Sequence, residues 1–232
     1  MINIIFNKKI LIIGPHTDDI EIGMGGMLLG TKEFMCDISS VVLSDNTTLE
    51  SNREHLAYGI HKSNMYNLNI QDKTNELLLN LITPIKFKDK YSMVKDIIID
   101  YIKKNDPEVI FFPAKDEHLD HCLVNEIVGE VAKHVAPNLK GLIEYNIPFN
   151  QGSCQEFNWY NSFDKNTMDL KRGMIEKYSV VNGLRSSNNW SNCLDYLYVD
   201  NLNSSFVSGN YKEENGIIKN YTEKFNIRFL KS

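Results

Sequence analysis

The feature that most limits how this chain can fold is a set of short, apolar, β-branched runs: Ile10 to Ile13, Val41 to Leu43, Val109 to Phe112 and Leu142 to Tyr145, with helical patterns between the first elements. Such runs suit strands covered on both faces, and their alternation with helices predicts an α/β fold with a mainly parallel sheet. At 232 residues and 42% hydrophobic content the chain can bury a full core. One domain over 1–232 is the expectation.

Several elements can be read in more detail. Cys122 to Ala136 places Leu123, Ile127, Val128, Val131 and Val135 on one helical face, with Pro137 as its stop and Asp120 as a candidate N-cap. Arg53 to Ile60 and Ser92 to Lys104 read as two further helices, the second ending before Asp106-Pro107. Gln71 to Lys90 is mixed, with a helix around Asn75 to Ile82 and a loop from Pro84. The polar stretch 150–166 reads as a loop-rich insert, and Met168 to Tyr178 as a helix.

A formal net charge of −5 argues against a general nucleic-acid surface, which needs a basic face. Asn7, Lys8 and Lys9 interrupt the apolar run near the N-terminus, so neither a signal peptide nor a membrane span is expected. Cys36, Cys122, Cys154 and Cys193 are scattered without a C-x-x-C pair. That spacing suggests a reducing cytoplasm and no thiolate metal site.

Ligands of open α/β sheets bind beyond the carboxyl ends of the strands. The first strand runs into Pro15-His16-Thr17-Asp18-Asp19, and the Val109 strand runs through Pro113 to Glu117-His118-Leu119-Asp120-His121. If these strands are parallel neighbours, both clusters face one crevice. A catalytic zinc commonly takes three protein ligands and keeps one position for water. His16, Asp19 and His121 would supply two imidazoles and a carboxylate, a set that also accepts iron(II), manganese or cobalt. His121 would lie in a helix's first turn, where the dipole favours the neutral ring. Asp18 is then a spare carboxylate able to take a proton from the water. His118, as an imidazolium, could stabilise an oxyanion or protonate a leaving amine. Asp120 has two readings, orienting an imidazole or capping the helix.

Blander readings compete with these. A lone His-x-x-Asp is weak, because Asp commonly fills turns after strands; the second cluster tips the balance towards a metal. His55, His61 and His134 have no matched carboxylate and read as surface or satisfied positions. Cys122 reads as a small buried thiol. Glu21 either braces the loop or is an acid in the first helical turn. Gly23, Gly25 and Gly26 do not form G-x-G-x-x-G, since Leu28 takes the last position. Close helix-to-sheet packing explains them more simply.

These residues also carry a family resemblance. PHTDDIEIGMGG resembles the Pro-His-Pro-Asp-Asp-x-Glu-x-Gly-x-Gly-Gly signature of the PIG-L/LmbE-like N-deacetylases, and EHLDH resembles their His-x-Asp-His. The likeness covers about residues 9–145, and beyond it KRGMIEKYS and YTEKF resemble the family's Lys-rich helix and its Tyr-x-Glu-x-Phe ending. The resemblance implies a Rossmann-like three-layer fold, a mononuclear zinc, and hydrolysis of the acetamide of a GlcNAc-type sugar, free, glycosidic, lipid-linked or nucleotide-linked. By position it implies His16, Asp19 and His121 as zinc ligands, Asp18 as general base and His118 as the residue that aids the tetrahedral intermediate. Arg53, followed by Glu54, is the expected substrate contact. Thr17 replaces the family's usual Pro, and Val180 stands where many relatives have Gln. The region 146–232 is expected to shape specificity. Two other activities fit the same residues: an amidase or deformylase on a thiol conjugate or formamido sugar, and a non-catalytic metal-binding scaffold. Self-association into a homo-oligomer is left open.

Overall fold

The computed structural model describes residues 5–16, 18–30, 36–43, 62–65, 85–148, 157–181, 197–205, 207–215 and 217–230, with only the backbone described at 62–65, 85–90, 177–181 and 217. In chain order these form β1 (Lys9–Gly14), α1 (Asp19–Gly30), β2 (Asp37–Val42), β3 (Lys62–Met65), α2 (Ile85–Asn105), β4 (Val109–Pro113) and α3 (Leu119–Val135). Then come β5 (Gly141–Tyr145), β6 (Trp159–Asp164), α4 (Lys165–Val181), β7 (Glu213–Glu214), β8 (Ile217–Ile218) and β9 (Asn220–Leu230). A further helical segment covers 197–205.

Seven strands make one sheet in the order β3-β2-β1-β4-β5-β9-β6. The first five strands in that order run parallel. β9 runs antiparallel to both β5 and β6. Because side chains alternate along a strand, β1 feeds two cores. Ile10 and Ile12 pack with α1, α4 and β6 residues such as Met27, Ile175 and Trp159. Leu11 and Ile13 pack with α2 and α3 residues such as Ile98, Ile102, Val128 and Val131. The result is the expected α/β sandwich of helices over a mostly parallel sheet. Among the described residues no helix is long and apolar enough to cross a membrane.

Several element boundaries differ from the sequence reading. α2 begins at Ile85, where a loop was expected. Residues 85–90 are rich in Lys and thin in apolar spacing, so periodicity misses them, although Lys is a good helix former. Trp159–Asp164 is strand, not loop: as a sheet-edge strand it is half solvated and reads polar. α3 starts three residues before the predicted Cys122, and α4 extends beyond Met168 to Tyr178 at both ends. The helices expected at Arg53 to Ile60 and Asn75 to Ile82 lie outside the described residues, as does the 150–156 part of the polar insert.

α1 is interrupted at Met24, with φ −144° and ψ 18°. The break leaves backbone N–H groups at the restart of the helix without intrahelical partners. Glu223 of β9 accepts from them, Gly26 N at 2.7 Å and Met27 N at 2.9 Å. Its carboxylate is in turn held by buried Lys171 of α4 at 2.7 Å. The glycines here permit close approach. A Cβ on Gly23 would collide with the Tyr145 ring, and one on Gly26 with the Phe163 ring.

Candidate metal centre

β1 and β4 are parallel neighbours, and the strand order turns back at this pair, since β2 and β3 lie on one side and β4 and β5 on the other. Such a switch point opens a crevice beyond the strand ends. Both polar clusters emerge there. After Gly14, the His16 N–H donates to Asp19 Oδ2 at 2.8 Å. This tight loop brings His16 Nδ1 within 3.0 Å of the same oxygen.

The second cluster is built by a different local device. Asp116 Oδ1 accepts from the His118 N–H at 2.7 Å. His118, extended at φ −83° and ψ 120°, is the N-cap of α3, and its Nδ1 accepts from Asp120 N at 3.3 Å. Asp120 is therefore not the N-cap. The helix starts at Leu119, which leaves the Asp120 carboxylate free to reach across to His16 Nε2 at 3.1 Å.

Three donor atoms converge where the loops meet. Asp19 Oδ2 is 3.0 Å from His16 Nδ1 and 3.2 Å from His121 Nε2, and the two nitrogens are 3.3 Å apart. Bonds of about 2.0–2.1 Å in a tetrahedral site place ligand atoms about 3.3 Å from one another, close to these edges. Each imidazole is also backed by a carboxylate at its other nitrogen, His16 by Asp120 and His121 by Asp116 at 2.6 Å. That arrangement turns the lone pairs of His16 Nδ1 and His121 Nε2 inward. His118 lies close by, with its ring centroid 4.6 Å from those of both His16 and His121. One nitrogen from each of the three histidines lies within 4.8 Å of the others, a cluster that suits a metal ion.

Burial and mutual charge shape the proton affinities. Burial alone would raise the Asp19 carboxyl, but the charges and hydrogen bonds of His121 and His16 hold it well below its usual range. Asp120 is likewise lowered against its burial, by the His16 hydrogen bond and the neighbouring imidazoles. Burial pulls His121 down, yet Asp19 and Asp116 outweigh it and push the ring up to about 9. His118 moves the other way: burial, then the charges of His16 and His121, push it down to about 4. That direction favours the neutral ring in the metal-free site over the imidazolium of the sequence reading. With Nδ1 accepting from Asp120 N, its proton sits on Nε2.

Asp18 is buried at the start of α1 and its carbonyl accepts from Ile22 N at 3.0 Å. Glu21 is buried in the first turn of the same helix. Cys122 is half-buried and donates to the Asp116 carbonyl at 3.1 Å, and His134 is exposed. Arg53, His55 and His61 lie outside the described residues. Sequence reasoning missed Asp116. The only signal was an acid two residues before His118, and Asp in a loop is ordinary.

A sequence profile described as PIG-L, GlcNAc-PI de-N-acetylase, matches residues 11–132, over half of the chain and inclusive of both clusters. The chain belongs to the PIG-L family. Solved structures of similar fold include the N,N'-diacetylchitobiose deacetylase of Pyrococcus horikoshii, at TM-score 0.64 and 18% identity, covering 95% of this chain and 83% of that one. A deacetylase of teicoplanin biosynthesis matches at TM-score 0.62 and 16% identity, covering 94% and 98% of the two chains. GalB of Pseudomonas putida, a 4-carboxy-2-hydroxymuconate hydratase, matches at TM-score 0.58 and 14% identity over 97% and 98%. These likenesses show the fold. Since it also carries a hydratase, the chemistry of this PIG-L protein has to be argued from its site.

Proposed function

We propose that this PIG-L family protein is a zinc-dependent N-deacetylase that hydrolyses the acetamide of an N-acetylated amino sugar to a free amine and acetate. The observation that carries the reading is the triangle of His16 Nδ1, Asp19 Oδ2 and His121 Nε2, with a carboxylate behind each imidazole. These three residues would hold the metal. Zinc, when bound, supplies a Lewis acid that polarises an acyl oxygen and draws the pKa of a water towards about 7.

The remaining work falls to the chain's own residues. Asp18 takes a proton from the attacking water and passes it to the leaving amine. His118 is not a ligand in this reading, because its Nδ1 accepts from Asp120 N and its proton sits on Nε2. From there it donates to the acyl oxygen as negative charge develops. Asp120 orients His16. Arg53 is the proposed substrate contact, and 146–232 the region that shapes specificity. The single seven-stranded sheet supports treating 1–232 as one domain.

The test is an assay of the zinc-loaded protein on N-acetyl sugars in free, glycosidic, lipid-linked and nucleotide-linked form, following primary amine and acetate together. Release of both is expected. No release across the panel overturns the activity, and formate in place of acetate moves the reading to a deformylase.

A further inference from the structure

We infer that Asp116 is the positioning residue of this site: one oxygen of its carboxylate fixes the tautomer of His121, and the other fixes the backbone that aims His118. The inference rests on the proposed ligand role of His121. Asp116 Oδ2 lies 2.6 Å from His121 Nδ1, with the carboxylate side chain only 8% exposed and the imidazole 1% exposed. A carboxylate offers only acceptors, so a neutral His121 must carry its proton on Nδ1. Nε2, the atom that faces Asp19 and His16, is then the one left with a lone pair.

The same carboxylate acts one turn away. Asp116 Oδ1 accepts from the His118 main-chain N–H at 2.7 Å, at the residue that caps α3. His118 in turn receives the Asp120 N–H at Nδ1. One side chain therefore sets the proton position on one histidine and the ring direction of the next. The Asp116 main chain is itself tied, because its carbonyl accepts from Cys122 Sγ at 3.1 Å. Among the described residues the Asp120 carboxylate hydrogen-bonds a single ring, at His16 Nε2, with a side chain 20% exposed.

Asp116→Asn separates this role from simple loop bracing. The amide nearly preserves shape and can still accept from His118 N–H, but its NH2 group then faces His121 Nδ1 and drives the proton to Nε2. Zinc affinity, measured by competition with a chromophoric chelator, is expected to fall about 10–100-fold, while the metal-free variant keeps the wild-type circular dichroism. Affinity within about twofold of wild type overturns the inference. A second measurement needs no variant: nitrogen NMR of isotope-labelled, zinc-loaded wild-type protein should show His121 metal-bound at Nε2 and protonated at Nδ1, and the reverse assignment overturns it. Zinc binding without hydrolysis would remove the N-deacetylase reading and leave Asp116 in place. Loss of zinc in His121→Ala with full affinity in Asp116→Asn would do the opposite, and a wild-type protein that binds no zinc would sink both.

Discussion

Glu223 is the side chain whose loss should cost this fold most for the least change in shape. Its carboxylate takes three hydrogen bonds, from Gly26 N, Met27 N and Lys171 Nζ, and both members of the ion pair are at most 1% exposed. Glu223→Gln puts an NH2 group where an acceptor was and leaves the Lys171 ammonium buried without a counter-charge. Removing one partner of a buried pair costs about 3–5 kcal/mol. For a chain of this size that corresponds to roughly 6–20 °C in Tm, at about 2–4 °C per kcal/mol. Lys171→Met should cost less, because the carboxylate keeps the two helix N–H groups and the positive end of the restarted helix. The double variant should be no worse than Glu223→Gln alone, since no stranded ammonium remains. The measurement is thermal and urea unfolding of all four proteins with chelator present, so that metal binding does not enter. A Glu223→Gln loss below about 1 kcal/mol, or a double variant equal to the sum of the singles, would refute the reasoning.

Four further outcomes follow from the site and its surroundings. In the metal-free protein, His121 is held up at about 9 against an ordinary 6.5, so its stabilisation is complete below about pH 6.5 and lost as pH rises through about 9; Tm should be lower at pH 9 than at pH 7, and a flat or rising Tm would contradict this. His118, near 4, acts in the opposite window, with stability falling as pH drops from about 6.5 towards 4. Asp18→Asn should keep zinc while losing at least about 10²-fold in kcat, and unchanged turnover would remove Asp18 from proton transfer. Gly23→Ala should destabilise by about 1–3 kcal/mol and more than Gly26→Ala. The Tyr145 ring that blocks Gly23 is buried and tied through its hydroxyl to the Ile13 carbonyl, whereas Phe163 is half-buried and can give.

The parts of the fold legible in the sequence were those with a local signature. β1, β4 and β5 are buried on both faces and therefore read as plain apolar runs. The shared crevice followed from the topology rule on the condition that β1 and β4 are parallel neighbours, which the structure meets; the strand order itself was not legible. β6 and β9 were not legible, because an antiparallel pair at the sheet's edge alternates between core and solvent and includes residues such as Glu223 and Thr222, buried through partners far away in sequence. In the site, His16, Asp19, His118 and His121 stood out by residue type and spacing. Asp120 was ambiguous between two jobs until the helix start was located. Asp116 was invisible, since its importance lies in where its two oxygens point and not in any pattern along the chain.

The placement of β9 bears on how such a chain reaches its fold during synthesis. Every residue of the candidate centre that the structure describes has been made by the end of α3, and five parallel strands by the end of β5. Yet β5 gains its second neighbour, and α1 its Glu223 clamp, only when Asn220–Leu230 arrives. At about 5–20 residues per second, the ribosome leaves the open edge of β5 unpaired for several seconds. An open edge of that kind invites pairing with another chain. The nascent protein should therefore depend on chaperones during that interval, and a fragment ending after β5 should aggregate despite carrying both His/Asp clusters.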